Sequence, residues 1–153
     1  MKSVRIMALA AIAAVFALLA INIKISTPAT PHWEVWVIDQ DGHPLKGMTV
    51  RMSWQNYSVE TTGHEEDLQT DENGHVVFPS RILTASIKDR FFGTVRSAQG
   101  GVHASFGPHA YVFAFGHGLE GSAVMGDYLA DWTGKPDQMQ SRIVAKPMQK
   151  PPR

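Results

Sequence analysis

The side chains able to bind a metal or move a proton are seven histidines and fourteen carboxylates, and no cysteine accompanies them. His32, His43, His64, His75, His103, His109 and His117 are spread along the chain. Imidazole ligands must converge in space, and on a strand the simplest route is His-x-His, which sets two rings on one face. No such pair occurs. His109 and His117 share parity with Tyr111, Phe113 and Phe115, but their spacing corresponds to about 26 Å of extended strand. A histidine metal centre therefore has to be assembled across loops, from His103, His109 and His117 with Asp127. The missing cysteine excludes a disulfide framework, a thiol nucleophile, Cys-ligated zinc or iron–sulfur centres and a lipid-modified cysteine.

Many of the carboxylates gather in and between two acidic turns, "VIDQDGHPLKG" (37–47) and "TDENGHVVFP" (70–79). Asp39 with Asp41, or Asp71 with Asn73, suggests calcium. An EF-hand loop also needs a third oxygen ligand at its fifth position and a distant bidentate Glu, and the first segment has neither. Turn chemistry is a sufficient reading: Asp-Gly and Asn-Gly pairs supply positive φ, and Asp side chains bond nearby amides. His43 and His75 then follow each turn glycine as solvated residues. The run "HEEDLQTDE" (64–72) holds five acids among nine residues and reads as a solvated loop, with a cation or partner patch as the sharper option. No Gly-x-Ser-x-Gly elbow is present, and "GLEGSAVMG" (118–126) lacks the lysine of a phosphate cradle. The sequence predicts no enzyme, no metal and no cofactor. The alternative is a small extracytoplasmic His-dependent metalloprotein or hydrolase.

The segments that hold these turns alternate with the two-residue period of half-buried strands. "HWEVWVID" (32–39) sets Trp33, Val35 and Val37 against Glu34 and Trp36, so one tryptophan faces outward, toward an edge neighbour, a membrane surface or a carbohydrate or peptide ligand. Met48, Val50, Met52 and Trp54 alternate with Thr49, Arg51 and Ser53. Residues 55–69 read as an extended hairpin connection with ragged strand at its edges, followed by a turn at 71–74, a strand at 75–78 and the breaker Pro79. "RILTASIKDRFF" (81–92) predicts a further strand, as does "HAYVFAFG" (109–116), with Tyr111, Phe113 and Phe115 on one face. Residues 122–132 predict a helical turn. Short strands at this spacing predict an all-β fold, a small antiparallel β-sandwich preceded by one hydrophobic helix.

That helix is the uninterrupted apolar run at 6–21, an export signal or a membrane anchor. Val4, Ile23 and Ile25 extend it toward the roughly 20 residues of a span. Leu18 and Leu19 spoil the cleavage position around Ala20, which favours a retained anchor over secretion after cleavage. Lys2 and Arg5 outweigh Lys24, placing the amino terminus inside and the domain outside, in the periplasm or at the cell surface. Those three residues are the only charges before residue 26, so the rest of the chain carries a net charge of −3. It has no electrostatic footprint for nucleic acid. The expected division is an anchor or signal peptide at 1–25, a linker at 26–32, the β-sandwich at 33–141 and a basic, proline-containing tail at 142–153, disordered in its last third.

The turns and their strands also carry a resemblance. Written as "VxVxDxDGxPLxGxxVxM", a polar insertion and "TDxNGxVxFP", residues 33–92 resemble the carboxypeptidase regulatory-like domain family, small transthyretin-like β-sandwiches. The matching residues include Val37, Asp39, Asp41, Gly42, Pro44, Leu45, Gly47 and Val50, then Thr70, Asp71, Asn73, Gly74, Val76, Phe78 and Pro79. The resemblance implies a transthyretin-like or Ig-like sandwich, and its motifs carry no information about activity. Two enzymatic branches of related folds find no counterpart: hydroxyisourate hydrolases end in Tyr-Arg-Gly-Ser where this chain ends "QKPPR", and the paired histidines and tyrosines of intradiol dioxygenases are missing. The expectation is a non-enzymatic binding or structural module of the cell envelope. Its helix holds the membrane, its partner is an envelope protein or carbohydrate, and anchor and basic tail are its attachment points if it serves an envelope complex.

Overall fold

A computed structural model describes residues 2–125 and 128–148. Asp127 and the end of the basic tail, to which two of the expectations above apply, lie outside the described residues. The chain runs α1 (Lys2–Ala20), β1 (Lys24–Thr30), β2 (His32–Ile38), β3 (Thr49–Asn56), β4 (His64–Gln69), β5 (His75–Phe78) and β6 (Arg81–Ser86). It continues through α2 (Ile87–Ala98), a short 3₁₀ turn (Gly101–His103), β7 (Pro108–Gly116) and β8 (Leu119–Ser122). Two short strands, β9 (Val124–Met125) and β10 (Tyr128–Leu129), precede β11 (Gln138–Val144) and β12 (Lys146–Pro147).

The protein is mostly β. One sheet has the order β11-β2-β5 and another the order β12-β8-β7-β3-β4, while β1 pairs with β6 and β9 with β10. The alternation of β2 explains its place: Trp33, Val35 and Val37 are fully buried, and Glu34 and Trp36 take the opposite face. From the larger sheet, Val50 and Met52 of β3 and Ala110, Val112 and Ala114 of β7 join the same core, with Trp132 and Ile143. Each buried indole has a partner for its N–H, Trp33 donating to Ser141 Oγ at 3.0 Å and Trp132 to the Pro136 carbonyl at 2.6 Å. Polar atoms buried this way must be paired, so the two rings are fixed in orientation as well as in place.

Several sequence expectations are corrected. Residues 81–92 are not one strand: β6 ends at Ser86, whose hydroxyl accepts from the Asp89 backbone N–H while the Asp89 carboxylate reaches back, a capping box that starts α2. The expected helical turn at 122–132 is instead β9 and β10 among the described residues. The segment at 26–32 is no linker, because β1 pairs with β6 from Lys24 to Thr30 and His32 opens β2. The basic tail is not free at its start, since Arg142 belongs to β11 and Lys146 to β12. The sheets are not wholly antiparallel: β11 runs parallel to β2 over seven residue pairs, His32 to Ile38 against Gln138 to Val144.

Helix α1 leaves Ile6, Leu9, Ile12, Phe16 and Leu19 exposed. Among the described residues no helix is long and apolar enough to cross a membrane. With 19 residues, α1 is about 28 Å long.

Candidate functional site

The two acidic turns have the same construction. Asp39 Oδ1 accepts from the backbone N–H of Asp41 at 2.9 Å and of His43 at 2.8 Å. Asp71 Oδ1 accepts from Asn73 at 2.8 Å and His75 at 2.9 Å. Gly42 and Gly74 sit at φ of +89° and +67°, the left-handed backbone that a side chain resists. Both aspartates are held below the usual carboxylate range, first by the backbone N–H of His43 or His75. Thr70 ties one turn to the other: its hydroxyl donates to the Leu45 carbonyl at 2.6 Å and accepts from the Met48 N–H at 3.0 Å. The Gly47 N–H closes the link onto the Thr70 carbonyl at 3.0 Å, and Pro44 bridges to Ile38.

Ligand atoms of Asp39, Asp41 and His43 lie within 4.8 Å of one another. Asp39 is already occupied by two amides and by His43 Nδ1 at 3.3 Å. The second turn makes the same backbone bonds with Asn73 in the place of Asp41, so the turn accounts for these acids without an ion.

The three candidate histidines are not brought together. His103 ends the 3₁₀ turn, and His117 stands at φ +51° between β7 and β8. His109 engages Asp131 Oδ2 through Nδ1 at 2.8 Å and the Phe106 carbonyl through Nε2 at 3.2 Å. With both ring nitrogens in use, His109 joins the loop before β7 to the segment after β10.

Sequence reasoning missed one grouping entirely and placed the residues of a second on one face without its direction or its neighbours. In the first, Glu60 Oε1 meets His64 Nε2 at 2.7 Å, His64 stacks on Trp54, and the Arg81 guanidinium lies 5.1 Å from the Trp54 ring while bonding Glu66 at 2.5 Å. Trp54, Glu60, His64 and Arg81 border an open cleft of about 420 Å³. The i,i+4 spacing of Glu60 and His64 was the available signal.

The second covers the outer face of the five-stranded sheet. Tyr111, Phe113 and Phe115 of β7 point away from the core in a row, with ring centroids 6.2 Å and 5.8 Å apart. Register sets their neighbours: Ser53 beside Tyr111, Arg51 and Ser122 beside Phe113, Glu120 beside Phe115. Arg51 lies 5.5 Å from the Phe115 ring and is gripped by Asp67 through two bonds of 2.7 Å and 2.8 Å, with Glu65 at 2.8 Å. The paired carboxylate of Asp67 raises the Arg51 pKa, and the guanidinium lowers that of Asp67. The first part of the acid run, with Glu65, Glu66 and Asp67, is thus β4, an edge strand rather than a solvated loop, while Asp71 and Glu72 belong to the turn that follows. The alternation of β4 is what divides its acids, Glu65 and Asp67 toward the aromatic row and Glu66 toward Arg81.

Trp36, the outward tryptophan of β2, stacks on His75 at 4.7 Å and is half-buried. Compared with known protein families and with curated proteins, the chain matches none.

Proposed function

We propose that the protein is a non-enzymatic, extracytoplasmic binding module, a β-sandwich of carboxypeptidase regulatory-like kind, attached to the membrane through α1. The outward row of Tyr111, Phe113 and Phe115 carries the binding reading. Large rings displayed on the central strand of a sheet, with a fixed guanidinium and carboxylates alongside, offer apolar faces and hydrogen-bonding groups at once. That combination suits a carbohydrate chain, whose sugar faces are apolar and whose rims carry hydroxyls. The sandwich reading is supported by two sheets that share one core and by the tied acidic turns. Attachment is supported by the exposed apolar residues of helix α1, and export by the basic residues Lys2 and Arg5 at its start.

Retention of the full chain on insoluble envelope polysaccharide tests the function. Phe113→Ala should reduce retention about tenfold, on the scale of one stacking aromatic. The reading fails if wild type and Phe113→Ala are retained equally.

A further inference from the structure

Helix α2 presents the wrong side to the protein. At about 100° per residue, Arg90, Gly93 and Ser97 fall on one side and Ile87, Phe91, Phe92 and Val95 on the other. The small and polar side packs inward: Gly93 is buried against the backbone of Ser58, and the Ser97 hydroxyl donates to the Tyr57 carbonyl. The apolar side faces out, with Phe91 63% and Phe92 56% exposed. The loop that follows continues it, Val102 being 97% exposed and Phe106 also exposed.

We propose that α2 lies on the membrane surface, its outward apolar side in the boundary between lipid headgroups and acyl chains. This rests on the attachment through α1 proposed above. Placement is the first reason. The backbone N–H groups of Ile87 and Lys88 donate to the carbonyls of Ile23 at 3.1 Å and Ile21 at 3.0 Å, and the Arg90 guanidinium donates to the Ile25 carbonyl at 2.8 Å. The first turn of α2 is therefore bonded to the residues that leave α1, at the depth where the chain emerges from lipid. Length is the second reason: the apolar part of α1, 15 residues from Ile6 to Ala20, is about 22 Å long, short of a hydrocarbon core of about 30 Å, and a short insert draws its flanking residues into the interface. Charge is the third. Apolar residues with Lys or Arg alongside suit a helix lying at a lipid surface. Arg90 is turned inward to the Ile25 carbonyl, while the exposed Lys88 and Arg96 fall within and beside the apolar side at 100° per residue, and the one acid of the helix, Asp89, is engaged in the capping box. Anionic headgroups suit these cations, whereas a second copy docked on the same face brings like charges together.

The absence of cysteine permits a direct test on the full chain. Single variants Leu9→Cys, Phe91→Cys, Val95→Cys and Glu72→Cys are spin-labelled in vesicles of equimolar phosphatidylcholine and phosphatidylglycerol. Collision with oxygen, which favours lipid, is compared with collision with a water-soluble nickel complex. Labels at 91 and 95 should favour oxygen severalfold more than the label at 72. If they match the label at 72 while the label at 9 lies in lipid, the surface contact is overturned and the attachment stands. If the label at 9 lies in water while those at 91 and 95 lie in lipid, the attachment falls and the surface contact stands. Failure of the chain to float with the vesicles removes both. Spin–spin coupling at 91 and 95 with water-like accessibility also overturns the proposal, in favour of a second copy.

Discussion

Asp71 makes two separable contributions, an acceptor for two amides and a negative charge. Its pKa is lowered chiefly by the His75 N–H, so the stabilisation it gives is present above the unfolded carboxylate pKa of about 4 and disappears as pH falls through the lower folded value. Asp71→Asn keeps an oxygen acceptor but not the charge, so it should unfold at a lower temperature than wild type near neutrality and approach wild type in acid, flattening the acid limb of the unfolding temperature against pH. Asp71→Ala should lower the unfolding temperature throughout. The turn glycines separate in the same manner. Gly42→Ala meets open space and should cost about 1 kcal/mol for its left-handed backbone. Gly74→Ala has that strain and also drives its Cβ into the Val37 carbonyl, for roughly 3 kcal/mol by denaturant unfolding. These turns were legible because Asp, Gly and their amide partners are neighbours in sequence. The role of His109 was not, since Asp131 stands far along the chain and only folding brings it near.

Helix α2 shows where a periodic reading goes astray. Residues 81–86 alternate as a strand does, and the eye carries the alternation past Ser86. The contrary signal was Ser86 with Asp89 three residues on, followed by Ile87, Phe91 and Val95 at helical spacing. Because Gly93 touches the Ser58 backbone, Gly93→Ala should push α2 off the loop at 57–59. Faster amide hydrogen exchange in α2, with the core strands unchanged, would register that local release. Strand β7 teaches a different limit. Its alternation was plain, but the inward side is the small one, Ala110, Val112 and Ala114, because Trp33, Trp132, Phe78, Met48 and Met52 already fill the interior. A pattern names two faces, and only the volume of the opposing elements decides which is covered. The aromatic row thus became a candidate site only once the sheet was assembled.

Across the whole molecule, the mostly β character was readable from turn spacing, whereas the parallel pairing of β2 with β11 was not. Parallel neighbours need a long connection, and here β3 through β10 supply it. A chain ending at residue 137 loses Met139, Ile143 and Ala145 from the core and uncovers one edge of β2. It should show no cooperative thermal transition by circular dichroism, while a chain ending at 148 should retain one. Contacts this distant in sequence also form late. For a protein exported as proposed, synthesis order then acts as a timer: β2 is made long before β11, so the chain stays loose enough to thread through a narrow pore until the strand that closes this sheet has followed it.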